Sequence, residues 1–403
     1  MHTPPFSWRA LGALALLLGG APARAQEASE LKFSAGYTVQ TDSNLFRLPA
    51  GADAPALLGQ PSATERIGVA SVGVHLNTTL SLQQLELDAS LVDYRYQNFS
   101  YLSFAGVNYD AAWRWAVTPR WTGKLSSERK QSLNSFADYQ GFTQRNQRTD
   151  THTRLDTVYE VAGPWRLVGG LERTSQANQQ ALVAGGDYAS TAADAGVRLL
   201  FGSGSTLTYS ARAYNGSYLN RVLSPTGLYD DAFHQTDHTL RLHWVLSGKT
   251  SANAHLTRLS RSHPNFAQRD YAGFNAGASF NWAISGKSAL SGGYARELSS
   301  YETGYASYAQ SDRITIAPVW QISAKTLLSL RHVWAQTDYL GAPGLLSNPS
   351  RRDTTRDTTL SFTWQPYPQL SLSAALQSAA RGSTLAALDY DSTQVFLSAQ
   401  YSY

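Results

Sequence analysis

Apolar and polar residues alternate along most of this chain. In "TLRLHWVL", Leu240, Leu242, Trp244 and Leu246 fall on one side of an extended backbone, and Thr239, Arg241 and His243 fall on the other. "FNAGASFNW" separates Phe274, Ala276, Ala278, Phe280 and Trp282 from Asn275, Gly277, Ser279 and Asn281, while "LSFTW" sets Leu360, Phe362 and Trp364 against Ser361 and Thr363. A period of two residues marks strands whose two faces meet different surroundings. Between them recur short connections rich in Gly, Pro, Ser and Asn, at 77–81, 117–121, 162–165, 201–205, 246–250, 284–288, 322–326 and 365–369. Three align as "WVLSGKTS", "WAISGKSA" and "WQISAKTL", starting at Trp244, Trp282 and Trp320. The repeating unit is a strand, a short turn, a returning strand and a longer loop.

Eight short turns join sixteen strands, and one further strand at each end, Leu31 to Gln40 and Asp391 to Tyr403, brings the number to about 18. A missed or invented hairpin would make it 16 or 20. The predicted class is all-β, and the Trp positions choose between a sandwich and a barrel in lipid. Trp115, Trp121, Trp165, Trp244, Trp282, Trp320 and Trp364 lie within a few residues of a short turn. A soluble sandwich gives indole no reason to gather at one end of its hairpins. A membrane interface does, and transmembrane barrels carry such girdles together with short turns on one side and longer loops on the other. The expectation is a transmembrane antiparallel β-barrel with outer-membrane lipid as its solvent.

The ends of the chain fit that picture. His2, Arg9, the apolar run Leu11 to Leu18 and Ala23-Arg24-Ala25 read as a signal peptide over residues 1–25, leaving one barrel domain over 26–403. Removing Arg9 and Arg24 takes the basic count from 33 to 31 against 29 acids, so no nucleic-acid or other polyanion partner is expected. Cysteine is absent, which excludes disulfides. The final "VFLSAQYSY" puts Val395, Leu397, Ala399, Tyr401 and Tyr403 on one face. It resembles the C-terminal signal read by the outer-membrane assembly machinery, with Tyr401 and Tyr403 as its aromatics.

A barrel of this size encloses water rather than a packed core. Charges on the lipid face cost about 2–4 kcal/mol near the midplane, so the charged face is assigned to the lumen: Lys124, Arg154, Asp156, Glu160, Arg166, Glu172, Asp194, Arg198, Arg212, Arg241, Arg313 and Arg331. Both signs occur, which argues against a pore tuned to one small ion. Tyr94, Tyr96, Tyr101, Tyr301, Tyr305 and Tyr308, near loop-proximal strand ends, fit an aromatic girdle or faces that stack on sugar rings.

Other chemistry fails on spacing. "SGKT" and "SGKS" end like a phosphate-binding loop, but the required earlier Gly is His243 in one and Asn281 in the other. "DDAFHQTDH" gathers Asp230, Asp231, His234, Asp237 and His238, read as a solvated loop entering a strand rather than a metal site. No nucleophile elbow appears. Neither an enzyme nor a cofactor is expected.

"TDSNLFRLP", Thr41 to Pro49, follows the first strand. Asp42, Asn44, Leu45, Phe46, Arg47, Leu48 and Pro49 resemble a motif near the start of the EpsL family, outer-membrane proteins associated with exosortase and exopolysaccharide synthesis. "YDAAWRWAVTPRWTGKL", Tyr109 to Leu125, is also similar to that family's pattern. The resemblance implies an outer-membrane channel exporting a polysaccharide, with periplasmic and inner-membrane export proteins as partners. The alternatives are a general diffusion porin for small solutes and a non-conducting surface or adhesin barrel. A large constricting loop would favour the porin, and loop length alone points to none. The motif itself is expected to fold inward over the mouth, with Arg47 paired to a luminal acid, or else simply to extend the first strand.

Overall fold

A computed structural model describes residues 30–137, 141–180, 185–345 and 350–403. The expected signal peptide lies outside the described residues. The strands are β1 (Glu30–Asp42), β2 (Glu65–Leu80), β3 (Gln83–Tyr96), β4 (Phe104–Thr118), β5 (Trp121–Leu133), β6 (Gln147–Ala162), β7 (Trp165–Asn178), β8 (Tyr188–Leu200) and β9 (Thr206–Tyr218). They continue as β10 (Ala232–Ser247), β11 (Thr250–Ser262), β12 (Tyr271–Ala283), β13 (Ser288–Ser300), β14 (Tyr308–Ser323), β15 (Thr326–Leu340), β16 (Arg352–Tyr367), β17 (Leu370–Ser383) and β18 (Tyr390–Ser402). Each pairs antiparallel with the next, and β18 returns to β1 in a ladder from Ser34 opposite Ser402 to Asp42 opposite Gln394. The sheet is a closed barrel of 18 strands.

All eight short turns lie where Gly, Pro and Ser interrupt the alternation. Five of these hairpins share one device, a register shift in the last residues of the strand before the turn, at 116/118, 160/162, 245/247, 321/323 and 364/367. A bulge increases local twist and re-aims the chain into a tight return. The first strand runs two residues past its expected end, so Thr41 and Asp42 belong to β1.

Closure satisfies the backbone only if every ladder is complete. Two pairs part before the outer rim, and side-chain amides take over there. Above Tyr109 opposite Arg129, Gln131 Oε1 accepts from the Val107 amide at 2.8 Å and Asn108 Oδ1 from the Gln131 amide at 2.7 Å. Above Ala276 opposite Arg296, Asn275 Oδ1 accepts from the Leu298 amide at 2.8 Å.

The outward positions form a continuous apolar band, with Phe33, Leu91, Leu171, Leu240, Phe274, Ile316, Leu360 and Leu397 exposed along it. Trp121, Trp165, Trp244, Trp282, Trp320 and Trp364 stand half exposed at the short-turn end of that band. Trp115 is more covered: it meets Trp121 edge to face at 5.9 Å and lies over Gly123 on the neighbouring strand. A Cβ at Gly123 would run into the Trp115 ring and the Asp156 carbonyl, which explains glycine there. The buried apolar clusters sit at the long-loop end rather than in a central core.

Gly123→Val should cost about 1–3 kcal/mol by overpacking this contact. The check is the urea midpoint of refolded barrel followed by heat-modifiable gel mobility; an unchanged midpoint would put Trp115 elsewhere.

Candidate functional site: the luminal cavity and its mouth

Alternation turns the polar face inward around a cavity of about 2550 Å³. The strand positions of Lys124, Arg154, Asp156, Glu160, Arg166, Glu172, Asp194, Arg198, Arg212, Arg241, Arg313 and Arg331 all lie opposite in parity to the outward Leu125, Leu155, Leu171, Val197, Tyr209, Leu240, Ile314 and Leu330. The structure divides these side chains into two unlike walls.

On the β6–β9 wall the charges neutralise one another. Arg154 donates to Asp156 at 2.7 Å, to Glu172 at 3.0 Å and to Asp194 at 3.0 Å. Arg212 donates to the same Asp194 and Glu172 at 3.0 and 3.1 Å. Arg154 reaches Asp194 by crossing Gly170, where a Cβ would stand 2.6 Å from its Nη2. Lys124 sits opposite Asp156 in register, Glu160 pairs with Arg166 at 3.2 Å, and Arg198 donates to Thr208.

The β10–β15 wall is different. Arg241, Arg313 and Arg331 line the cavity and, among the described residues, have no ion-pair or hydrogen-bond partner. Their cross-strand neighbours include Thr208, His255, Ala295, Ala335 and Thr359, and no acid is among these.

At the mouth, "TDSNLFRLP" folds on itself and inward. Asp42 is buried on β1, accepting from the Asn44 amide at 2.9 Å, from Ser392 Oγ at 2.7 Å and from Arg47 at 2.9 Å. Arg47 thus pairs with the acid of its own motif, from a left-handed backbone position (φ 56°). Asn44 clips the loop by exchanging hydrogen bonds with the Leu48 backbone at 2.8 and 2.9 Å. Pro49 accepts from the Ala52 amide at 3.1 Å, closing the next turn. Phe46 is buried against Phe99 of the β3–β4 loop and Phe136 of the β5–β6 loop, with ring centroids 4.7 and 4.6 Å away. Leu45 belongs to the same cluster and Leu48 packs on it.

Loop length was a poor guide to constriction. The β5–β6 loop, residues 134–146, is shorter than the β1–β2 connection, residues 43–64, yet it reaches inward far enough for the Ala137 carbonyl to accept from Arg381 of β17 at 2.7 Å. Six neighbouring strand pairs separate β5 from β17 around the wall, so the segment 134–137 reaches across part of the opening. A second knot ties the other loops. Arg269, fully buried, donates to the carbonyls of Gly227, Leu228, Thr303 and Ala306 at 2.6–3.1 Å. Glu302 accepts from Arg221 at 2.6 Å and Tyr218 at 2.5 Å, with His263 at 3.7 Å. Burial alone would raise the Glu302 pKa, but His263, Arg221 and Tyr218 outweigh it and hold the carboxyl at about 2, below the ordinary 4.5.

Sequence reading missed Arg269, Glu302, Arg381 and Phe136; for Arg269, Glu302 and Phe136 the available signal was a large aromatic or charged side chain inside an otherwise small, polar loop, and Arg381, on β17, carried none. The Tyr positions offer few bare faces. Tyr94 stacks on Phe104 at 4.5 Å, Tyr96 is buried, and Tyr301 packs against Tyr339 at 4.6 Å. The acids and imidazoles of "DDAFHQTDH" are split by alternation, with Asp237 inward and His234 and His238 outward; Asp230 is spent on Asn265. Among the described residues no group of three metal-ligating side chains converges.

The chain is thus a closed 18-strand barrel with a polar lumen and infolded loops. Its fold matches outer-membrane channels of Pseudomonas aeruginosa: OpdK with vanillate (12% identity, TM-score 0.51, 93% of this chain and 99% of that one) and OccK2 (OpdF) with glucuronate (12%, 0.52, 93% and 98%). OpdO is similar to the same degree (16%, 0.51, 93% and 97%). No protein-family model and no curated protein matches the sequence.

Arg381→Gln should release the β5–β6 loop and raise both single-channel conductance and its noise in a planar bilayer; unchanged traces would mean that this bond does not hold the constriction. The second knot carries a pH dependence. Because the folded pKa of Glu302 lies below its unfolded value, its contribution is complete above pH 4.5 and fades as pH falls toward 2. Pepsin cleavage within 219–231 and 301–307 should therefore climb as pH drops through that window, whereas Glu302→Gln should start high and vary little with pH.

Proposed function

We propose that the protein is an outer-membrane channel for passive diffusion of small hydrophilic solutes, with a preference for small carboxylates. The carrying observation is the unpaired arginines of one wall, Arg241, Arg313 and Arg331, beside a wall whose charges cancel. A guanidinium fork matches a carboxylate in geometry as well as charge. The two similar channels with bound solutes hold vanillate and glucuronate, both carboxylates, which supports the same class here. Loops that fold over the opening suit a solute-sized passage.

Polysaccharide export rests on the likeness of the Asp42–Pro49 motif to the EpsL pattern. Packing accounts for that motif: Asp42 and Arg47 pair, Asn44 clips the turn, and Phe46 anchors three loops, so a transported polymer is not needed to explain it. Export would also ask the crossing loop to move aside. The assembly-signal reading of Tyr401 and Tyr403 is supported by the outward exposure of both rings and by Tyr403 exchanging backbone hydrogen bonds with Phe33, at the seam.

In a KCl gradient the reversal potential of the reconstituted barrel should have the sign of anion preference, and replacing Arg241, Arg313 and Arg331 together by Gln should shift it severalfold in permeability ratio toward cations. Liposome swelling separates the readings further: uptake of glucuronate faster than of an equal-sized neutral sugar supports the carboxylate channel. A cation-preferring wild type that the triple variant leaves unaltered sinks it.

A further inference from the structure

The outer wall carries a charge pattern that the channel does not use. On outward-facing positions, the first eight or so residues above the Trp row bear no arginine, lysine or acid in most strands, and then arginine appears at one level. Arg129 lies eight residues above Trp121 on β5, Arg173 eight above Trp165 on β7, and Arg356 eight above Trp364 on β16. Arg258 on β11 pairs with Phe274, itself eight residues above Trp282 on β12. Eight residues of a strand tilted about 40° rise roughly 20 Å, and the apolar band of such barrels is about 25 Å tall. With their side chains extended, these guanidiniums reach the far interface, on the long-loop side, where the outer leaflet presents its headgroups.

Snorkelling alone explains why arginine is tolerated at that height, since the cost there falls to about 0–1 kcal/mol. It does not explain the excess. The outward acids at this level are Asp93, Asp312, Asp338 and Asp391, and the first three are already closed in pairs of 2.6–2.7 Å with other arginines of the belt. Arg129, Arg173 and Arg356 have no ion-pair or hydrogen-bond partner among the described residues, and Arg258 lies over the Phe274 ring at 5.1 Å. The Nε of Arg129 is buried and unpartnered, a donor with an unmet requirement. Between Arg129 and Arg173, β6 presents Thr151 and Thr153, whose hydroxyls complete a polar patch on an otherwise lipid-facing wall.

We infer that this belt binds the phosphate groups of a phosphorylated glycolipid in the outer leaflet, and that the patch formed by Arg129, Arg173, Thr151 and Thr153 is its principal site. Phosphate supplies the acceptor oxygens that the fixed arginine forks lack, and its acyl chains lie along the apolar band below. The inference rests on the outer-membrane placement of the barrel but not on what the lumen conducts.

The test uses the detergent-solubilised full barrel and a fluorescent lipid A as probe, with dephosphorylated lipid A of the same acyl composition as comparison. Wild type should bind the phosphorylated form at least tenfold more tightly. The variant R129Q/R173Q should lose most of that difference while keeping folded gel mobility and single-channel conductance, and R129K/R173K should recover part of it. Luminal R241Q/R313Q/R331Q should bind the glycolipid as wild type does while its ion selectivity changes. Equal binding of the two lipids, or R129Q/R173Q binding as wild type, would overturn the inference, and neither result would bear on the channel reading.

Discussion

Everything in this molecule depends on the ladder between β1 and β18. An open 18-strand sheet would leave two rows of backbone donors and acceptors facing hydrocarbon, each unmet group costing several kcal/mol. The seam removes both rows, and the Tyr403 and Phe33 backbones extend it to the last residue. Where neighbouring strands diverge elsewhere, the amides of Asn108, Gln131 and Asn275 stand in for the missing ladder bonds. Polar residues at those strand positions are thus part of closure rather than decoration of the lumen.

Closure then fixes where charge can go. A residue moved by one register would exchange lumen for lipid, so alternation is enforced along each strand. Inside, acids and arginines from β6 to β9 satisfy one another, helped by the bare backbone at Gly170, whereas Arg241, Arg313 and Arg331 on β10–β15 stand without a partner among the described residues, with Glu297 of β13 the unpaired acid on that wall. Outside, the same solvation cost keeps the band between Trp row and rim nearly free of charge and lets arginine in only at its upper edge.

The strands, the eight short turns and the Trp row were legible because each is a local pattern: a period of two, a Gly or Pro cluster, an indole beside it. Parity alone also sorts the luminal charges from the lipid face. Which of them pair was not legible, since Arg154 to Asp194 depends on strand neighbours and on a glycine between them. The mouth was less accessible still. Ala137 and Arg381 are 244 positions apart, and no local signal connects them. Glu65 illustrates the same limit: no motif singles it out, yet its buried carboxylate collects the amides of Gln97, Asn98 and Phe99 at 2.7–3.0 Å and sets the β3–β4 loop beside Phe46. The "TDSNLFRLP" motif was visible as a unit, and its family likeness pointed toward export; in place, its side chains explain a rigid rim.

With the rim tied by its own bonds, the proposed reading leaves selection to the lumen. Arg269 and Arg381 each hold loops through backbone carbonyls rather than through acids. The carboxylates committed there are themselves engaged: Glu302 faces Arg221, Asp42 pairs with Arg47, and Glu65 accepts from backbone amides. On the proposed reading, an anion that passes the mouth meets a neutralised wall along β6–β9 and, beside it, three guanidiniums along β10–β15. In a narrow passage with low-dielectric walls, such an unbalanced field acts over the whole cross-section. A solute with one carboxylate and a neutral body can satisfy both walls at once. A small inorganic ion can use only the charged one, and a neutral sugar only the other.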